Sequence, residues 1–396
     1  MLSTDFRYLW SASAVSNIGD GVTMVAGPLL VASHTGDPAL VAGAAFVQQL
    51  PWLFAPVSGA YVDRLDRRRV VVVVNLCRAA IMLGLASAVW SSTATIPLVY
   101  AAFFLLGVGE TVADPAYQAI LPAVVADQDL ERANARLYAT FTVGNQLAAK
   151  PLGAYLFVVG AAVPFGLDAL TFLVAGALLA LLRPLPLPAV PRVPGTLRAD
   201  IAEGFRALWV HPALRLLAVC LAVMNVLFCT AFAAFVLYAE HRLGLAPVAY
   251  GVLLSVWAVG GLLGALTAAR LRARFGPGLL LRVGLLIEIA TEVVLATTRA
   301  PWVAAAVLVL FGVHTTVWGV VTMSIRQRLV PDELRGRVGS TYSMLDLGGA
   351  ALGTLLGGAL AAATSLTAPF WLAAAGTTAL GGLVWRRLTD RTLAPA

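Results

Sequence analysis

The 396-residue chain is poor in charge and poorer still in lysine. Charged residues make up 12% of it, where an average soluble domain has about 25%, and Lys150 is the single lysine among twenty-seven cations. Three cysteines (Cys77, Cys220 and Cys229) all fall in apolar runs, the last two nine residues apart on one expected helix, roughly 13 Å along its axis and too far to bridge. No disulfide framework follows. A Walker A loop is excluded because it needs a Gly-Lys pair and Lys150 follows Ala149. There is no G-x-S-x-G elbow and no H-E-x-x-H pair either, so nucleotide-driven work, hydrolytic chemistry, cofactors and resident metals are not expected.

What the chain has in abundance is apolar surface, at 60% hydrophobic residues. It reads as an integral membrane protein. Runs of about 20 apolar residues, the length that crosses a bilayer, start near Leu9, Ala39, Val70, Pro97, Ala133, Val163, Ala213, Val248, Gly278, Trp302, Arg337 and Ala368. The first has neither a basic leader nor a small-residue cleavage site and is expected to be a retained span. Between the sixth and seventh lies the proline-rich "RPLPLPAVPRVPGTLRADIAEGFRALWVHP", which ends in a short amphipathic stretch. The expected fold is all-α, with twelve spans in two pseudo-symmetric six-helix bundles, 1–183 and 212–396, joined by a linker at 184–211.

Cations set the orientation. Most gather on one side: Arg7, Arg64 and Arg67 to Arg69, Arg132 and Arg136, the linker, and then the loops near Arg270, Arg326 and Arg386. Arg242 and Arg299 fall on the other side, and Arg78 and Lys150 are embedded. By the positive-inside bias both termini are expected in the cytoplasm and the protein in the cell (inner) membrane. The net charge of +7 is thus explained without nucleic acid.

The halves echo each other: "GAYVDRLDRRR" after the second run corresponds to "GALTAARLRAR" after the eighth, as in transporters built from parallel repeats. At these residues the chain resembles the major facilitator superfamily. "FRYLWSASAVSNIGDGVTMVAGPLL", "LPWLFAPVSGAYVDRLDRRR" and "IRQRLVPDELRGRVGS" are similar to its drug:proton antiporter branch, which includes macrolide efflux pumps and a siderophore exporter. The resemblance implies a conformational lock through Gly59, Asp63, Arg64, Arg67 and Arg68, with the helix opening at "PDELRGR" as partner. Physically, Gly59 lets helices approach closely, and Asp63 suits arginines and a helix N-terminus. Topology enforcement alone is the competing account of those arginines.

Embedded acids are costly and are usually kept for function. Candidates are Asp20, Glu110, Asp114, Asp168, Glu288, Glu292 and Asp346, with His314. Helices 1, 4, 7 and 10 line the cavity in the superfamily, and the resemblance therefore favours Asp20, Glu110, Asp114 and His314. Glu110 and Asp114 are also four residues apart on one face and compete to ionise, which makes either a candidate proton carrier. Asp114 could instead answer the kink at Pro115. Arg78 is expected to be structural, pairing in the cytoplasmic third of its helix. Asp168 is expected near the external surface, Asp346 between the halves, and Glu288 and Glu292 in a vestibule or interface.

Asn17, Tyr138, Asn145, Gln146, Lys150, Asn225, His314 and Trp318, with Gln48, Gln49 and Trp257, are candidate cavity residues. Lys150, in "GNQLAAKPLGAYL", takes the place of a glycine in the superfamily's helix 5 signature. Its stem can snorkel outward or bend toward the acids, and pairing with a carboxylate is the expectation. The expected protein is a monomeric exporter of an amphipathic solute, exchanging it for protons by alternating access. Export of a metabolite, siderophore or lipid, or a transport-inactive sensor, stand as alternatives.

Overall fold

A computed structural model describes residues 3–54, 65–183, 197–330 and 334–393. Gly59, Asp63 and Arg64 of the expected lock, like the opening of "PDELRGR", lie outside them. Helices, numbered here in chain order, are α1 (Thr4–His34), α2 (Pro38–Gln49), α3 (Arg67–Trp90), α4 (Ile96–Val124), α5 (Leu130–Thr140), α6 (Lys150–Val159) and α7 (Val163–Ala180). They continue as α8 (Leu197–Val210), α9 (Pro212–Phe232), α10 (Pro247–Thr297), α11 (Pro301–Leu329), α12 (Arg335–Ala363) and α13 (Ala368–Val384). Among the described residues seven helices are long and apolar enough to cross a membrane: α1, α3, α4, α7, α9, α11 and the Thr341–Ala363 part of α12.

The other expected runs are shorter or broken. Gly276 takes φ 72° and ψ 160°, a backbone conformation that glycine adopts without a Cβ clash, and Pro277 follows it, so α10 bends into arms 247–275 and 277–297. Asp390 fastens the break by accepting from Gly278 N–H at 2.7 Å. Between α5 and α6 the chain widens into a π-helix over Phe141–Ala149.

The chain forms two compact units. Unit 1 comprises Met1–Gly36, Val47–Pro194 and Ala246–Ser255; unit 2 comprises Asp37–Phe46, Gly195–Leu245 and Val256–Ala396. Compared with the expected 1–183 and 212–396 division, two short segments change places. Within unit 1, the Ser255 hydroxyl donates to Leu147 O at 3.0 Å; within unit 2, a Cβ on Gly358 would come 2.5 Å from that of Ala42.

At the arginine-rich end of unit 1, helix termini are closed by side chains. Asp66 caps α3 by accepting from Arg68 N–H at 3.1 Å and Arg69 N–H at 3.3 Å, an anion where the helix is partially positive. Arg67 donates to Ala119 O at 3.3 Å and Arg68 to Ala180 O. These arginines therefore tie α3 to α4 and α7.

Unit 2 is built on small residues that let backbones touch. Cβ atoms on Gly349, Gly353 and Gly357 of α12 would approach Ala222 O, Val226 O and Thr230 O of α9 to 3.3, 2.2 and 2.1 Å, so two four-residue ladders mesh. The "LGGAALGTLLGG" run is thus a packing surface. Gly353→Ala should lower stability by about 1–3 kcal/mol, the range for overpacking, because the obstructing atom is a backbone carbonyl. Gly349→Ala should leave thermal unfolding of the purified protein close to wild type. Equal losses from both substitutions would contradict the meshed ladder.

Candidate functional site

Unit 1 gathers two of its embedded acids around one guanidinium. Arg78 is the twelfth of the 24 residues of α3, which puts it halfway along the helix and corrects the expectation of a place in its cytoplasmic third. Its Nη2 donates to Asp20 Oδ1 of α1 at 3.1 Å and to Glu110 Oε1 of α4 at 3.2 Å. The arginine side chain is 7% exposed, whereas the aspartate is 30% and the glutamate 23% exposed. The cation is enclosed and its acids are half open. Phe172 of α7 lies under the guanidinium, 4.2 Å from its central carbon to the ring centroid, a favourable cation–π geometry.

The neighbouring sequence makes room for this arrangement. A Cβ on Gly109 would meet Arg78 Cγ at 3.1 Å, and one on Gly19 would meet Asp168 Oδ1 at 2.2 Å. Gln48 donates to Glu110 Oε1 at 3.3 Å. Asp168 is not at a surface but 1% exposed, accepting from Thr23 at 2.6 Å and Thr171 at 3.2 Å. Hydroxyl donors stabilise a buried carboxyl without adding a charge. Asp114 is exposed.

A second polar feature runs along the π-helical segment. Lys150 Nζ donates to Gln146 Oε1 at 2.5 Å, Gln146 to Asn145 Oδ1 at 2.9 Å, and Asn145 to Asn17 O of α1 at 2.9 Å. Asn17 itself donates to Ser13 Oγ at 3.1 Å. Four of the expected cavity residues thus form one chain of hydrogen bonds from α6 to α1. The cation on Asp20 and Glu110, however, is Arg78, where the sequence reading favoured Lys150. The wide turn brings this chain together: i→i+5 bonding shifts the register of the side chains, and such turns are frequent at functional sites.

The remaining cavity candidates scatter. Tyr138 is exposed on α5, and Trp318 packs in the apolar core of unit 2. Asn225 donates to the main-chain oxygen of Asp346. His314 meets Glu288, and both are buried within unit 2, as is Glu292, where a vestibule or interface location was expected for the two glutamates. Unit 2 also holds an aromatic cluster. Phe228 and Phe232 of α9, Trp257 of α10 and Phe311 of α11 have centroids 4.7–6.4 Å apart, and Phe228, Phe232 and Trp257 are partly exposed. Of these the sequence reading singled out Trp257 alone; the i,i+4 pair in "LFCTAF" was the available signal.

Comparison with known proteins follows the same lines. Residues 1–392 match the transmembrane secretion effector family. The multidrug efflux pump Tap of Mycolicibacterium fortuitum is 28% identical over 91% of this chain and 90% of its own. The enterobactin exporter EntS of Escherichia coli is 27% identical over 90% and 85%. Among solved structures, a variant of the nucleoside transporter NupG superimposes with a TM-score of 0.78 at 11% identity, over 97% of this chain and 100% of that one. A bacterial homologue of the iron transporter ferroportin superimposes with 0.73 at 18% identity, over 98% and 99%. The fold is that of these membrane transporters.

Removing the shared cation isolates the network energetically. Arg78→Gln leaves two carboxylates facing each other and should destabilise the protein, up to the ~3–5 kcal/mol seen when a buried pair loses one partner, less whatever solvent recovers at the half-open acids. Adding Asp20→Asn should restore part of that loss in detergent-solubilised thermal unfolding. Strictly additive effects would show that the two side chains do not share a network.

Proposed function

The chain belongs to the transmembrane secretion effector family of the major facilitator superfamily, a family of membrane transporters and not enzymes, and from that premise we propose that it exports an amphipathic solute in exchange for protons. The supporting observation is the imbalance at Arg78: one guanidinium nitrogen serves two carboxylates, so the network has room for one further positive charge. That charge is a proton in one state and a cationic or strongly hydrogen-bonding solute in the other. Asp20 and Glu110 are the exchanging groups, since both are partly exposed while Arg78 is not, and Asp114 is a nearby acceptor on the α4 face. Neutralising one acid leaves Arg78 to the other, which moves the guanidinium's tie between α1 and α4.

Solute contact falls to the Lys150–Gln146–Asn145–Asn17 chain in unit 1, which supplies donors and acceptors. The names of Tap and EntS support outward transport of a small molecule. Alternating access of major-facilitator type would carry it, with the arginine-rich ends in the cytoplasm by the positive-inside bias, in the inner membrane, as a monomer.

Asp20→Asn removes one exchangeable proton while preserving a hydrogen-bond acceptor for Arg78. In proteoliposomes with an imposed pH gradient, this variant should lose gradient-driven accumulation of any solute the wild type moves, yet retain downhill exchange. Glu110→Gln should act in the same direction. Accumulation undiminished in both variants would contradict proton exchange at this network, and a compound panel in an efflux-deficient host, scored for growth protection, identifies the solute class.

A further inference from the structure

Unit 2 contains three ionisable side chains that the mechanism above leaves unused. Glu288 and Glu292 are one turn apart on the 277–297 arm of α10, and His314 lies near the middle of α11. The imidazole Nε2 is 3.3 Å from Glu288 Oε2, with the two side chains 2% and 4% exposed. Glu292 is 0% exposed, and neither of its carboxyl oxygens has a hydrogen-bond partner.

The surroundings are shaped for the imidazole. A Cβ on Gly284 would come 2.6 Å from both Cε1 and Nδ1 of His314 and 3.0 Å from Trp318 Cε3; the glycine leaves the space the ring occupies. Phe311 and Trp318 stand edge-on to it, at centroid distances of 5.9 and 5.8 Å. Among the described residues, no lysine or arginine makes an ion pair with either glutamate, and no group of three His, Cys, Asp or Glu side chains is placed to hold a metal ion.

Charge balance then decides what the cluster can carry. Two carboxylates with a neutral imidazole would place two uncompensated negative charges in a membrane-spanning bundle, a costly arrangement. Net charge zero is reached with an imidazolium beside an ionised Glu288 or with a neutral imidazole beside a protonated one, and in both arrangements Glu292 is the neutral acid. The orphaned oxygens of Glu292 suit the neutral acid and not the carboxylate, which would need donors.

We propose that Glu288, His314 and Glu292 form a proton-binding site within unit 2, separate from the acids around Arg78, in which Glu292 is loaded as the neutral acid beside the Glu288–His314 pair. The group facing Glu292 is Glu288, one turn away on its own helix, which in turn meets His314 of α11; release of the Glu292 proton would leave one net negative charge beside that pair. The site concerns proton binding alone and stands whether or not the network in unit 1 couples transport.

Infrared spectroscopy of the full-length protein in lipid vesicles at neutral pH tests it. The carbonyl stretch of protonated carboxyl groups should lose one component in Glu292→Gln and in Glu292→Leu, and that component should persist in Asp20→Asn. A folded Glu292 variant with the complete wild-type band overturns the proposal. So does failure of both neutral replacements to fold, because a position that is neutral in the native state tolerates a neutral side chain of similar size.

Discussion

A guanidinium enclosed among apolar helices must keep carboxylate company, and the arrangement of unit 1 depends on that requirement. Arg78 draws Asp20 from α1 and Glu110 from α4 to the same nitrogen, and Phe172 of α7 covers its face. Four helices therefore meet at one charge. Gly109 and Gly19 are where they are because a side chain at either position would strike the arginine or Asp168. An ion pair in a low-dielectric interior is a poor source of stability in itself. Under the proposed proton exchange, its worth is that its balance would be adjustable by one proton or one cation, and that α1, α3 and α4, joined at it, would feel the adjustment together.

Much of the fold was legible in the sequence because the bilayer imposes a simple rule of length and hydropathy. The long spans and the packing role of the glycine run around Gly353 could be read from residue order. The π-helical turn at Phe141–Ala149 could not, since nothing in "FTVGNQLAA" distinguishes i→i+5 from i→i+4 bonding. That turn carries the hydrogen-bond chain from Lys150 to Asn17, which residue order alone does not reveal. Counting at 1.5 Å per residue gives depth along a helix but not which side chain shares its face after a register shift.

Arg78 shows the same limit from the other side. Asp20, Glu110 and Arg78 are each visible as embedded charges, yet pairing is a tertiary fact that depth along a helix does not settle. Glu288, Glu292 and His314 were visible too. The meeting of His314 with Glu288 depends on Gly284, which opens space for a ring on a neighbouring helix 30 positions away in sequence, a relation with no local signature. The lock residues Gly59, Asp63 and Arg64 lie outside the described structure; Arg67 and Arg68 show that part of the basic cluster serves as helix-end fastening.

The central claim is that solute and proton compete for one vacancy beside Arg78. It is tested most directly by adding an amphipathic cation that the protein binds to purified wild type in weakly buffered solution and following the pH. The account predicts proton release on binding, approaching one proton per bound solute and abolished when Asp20 and Glu110 are both replaced by their amides. Binding that saturates with no proton released across the pH range where the protein is folded would contradict it.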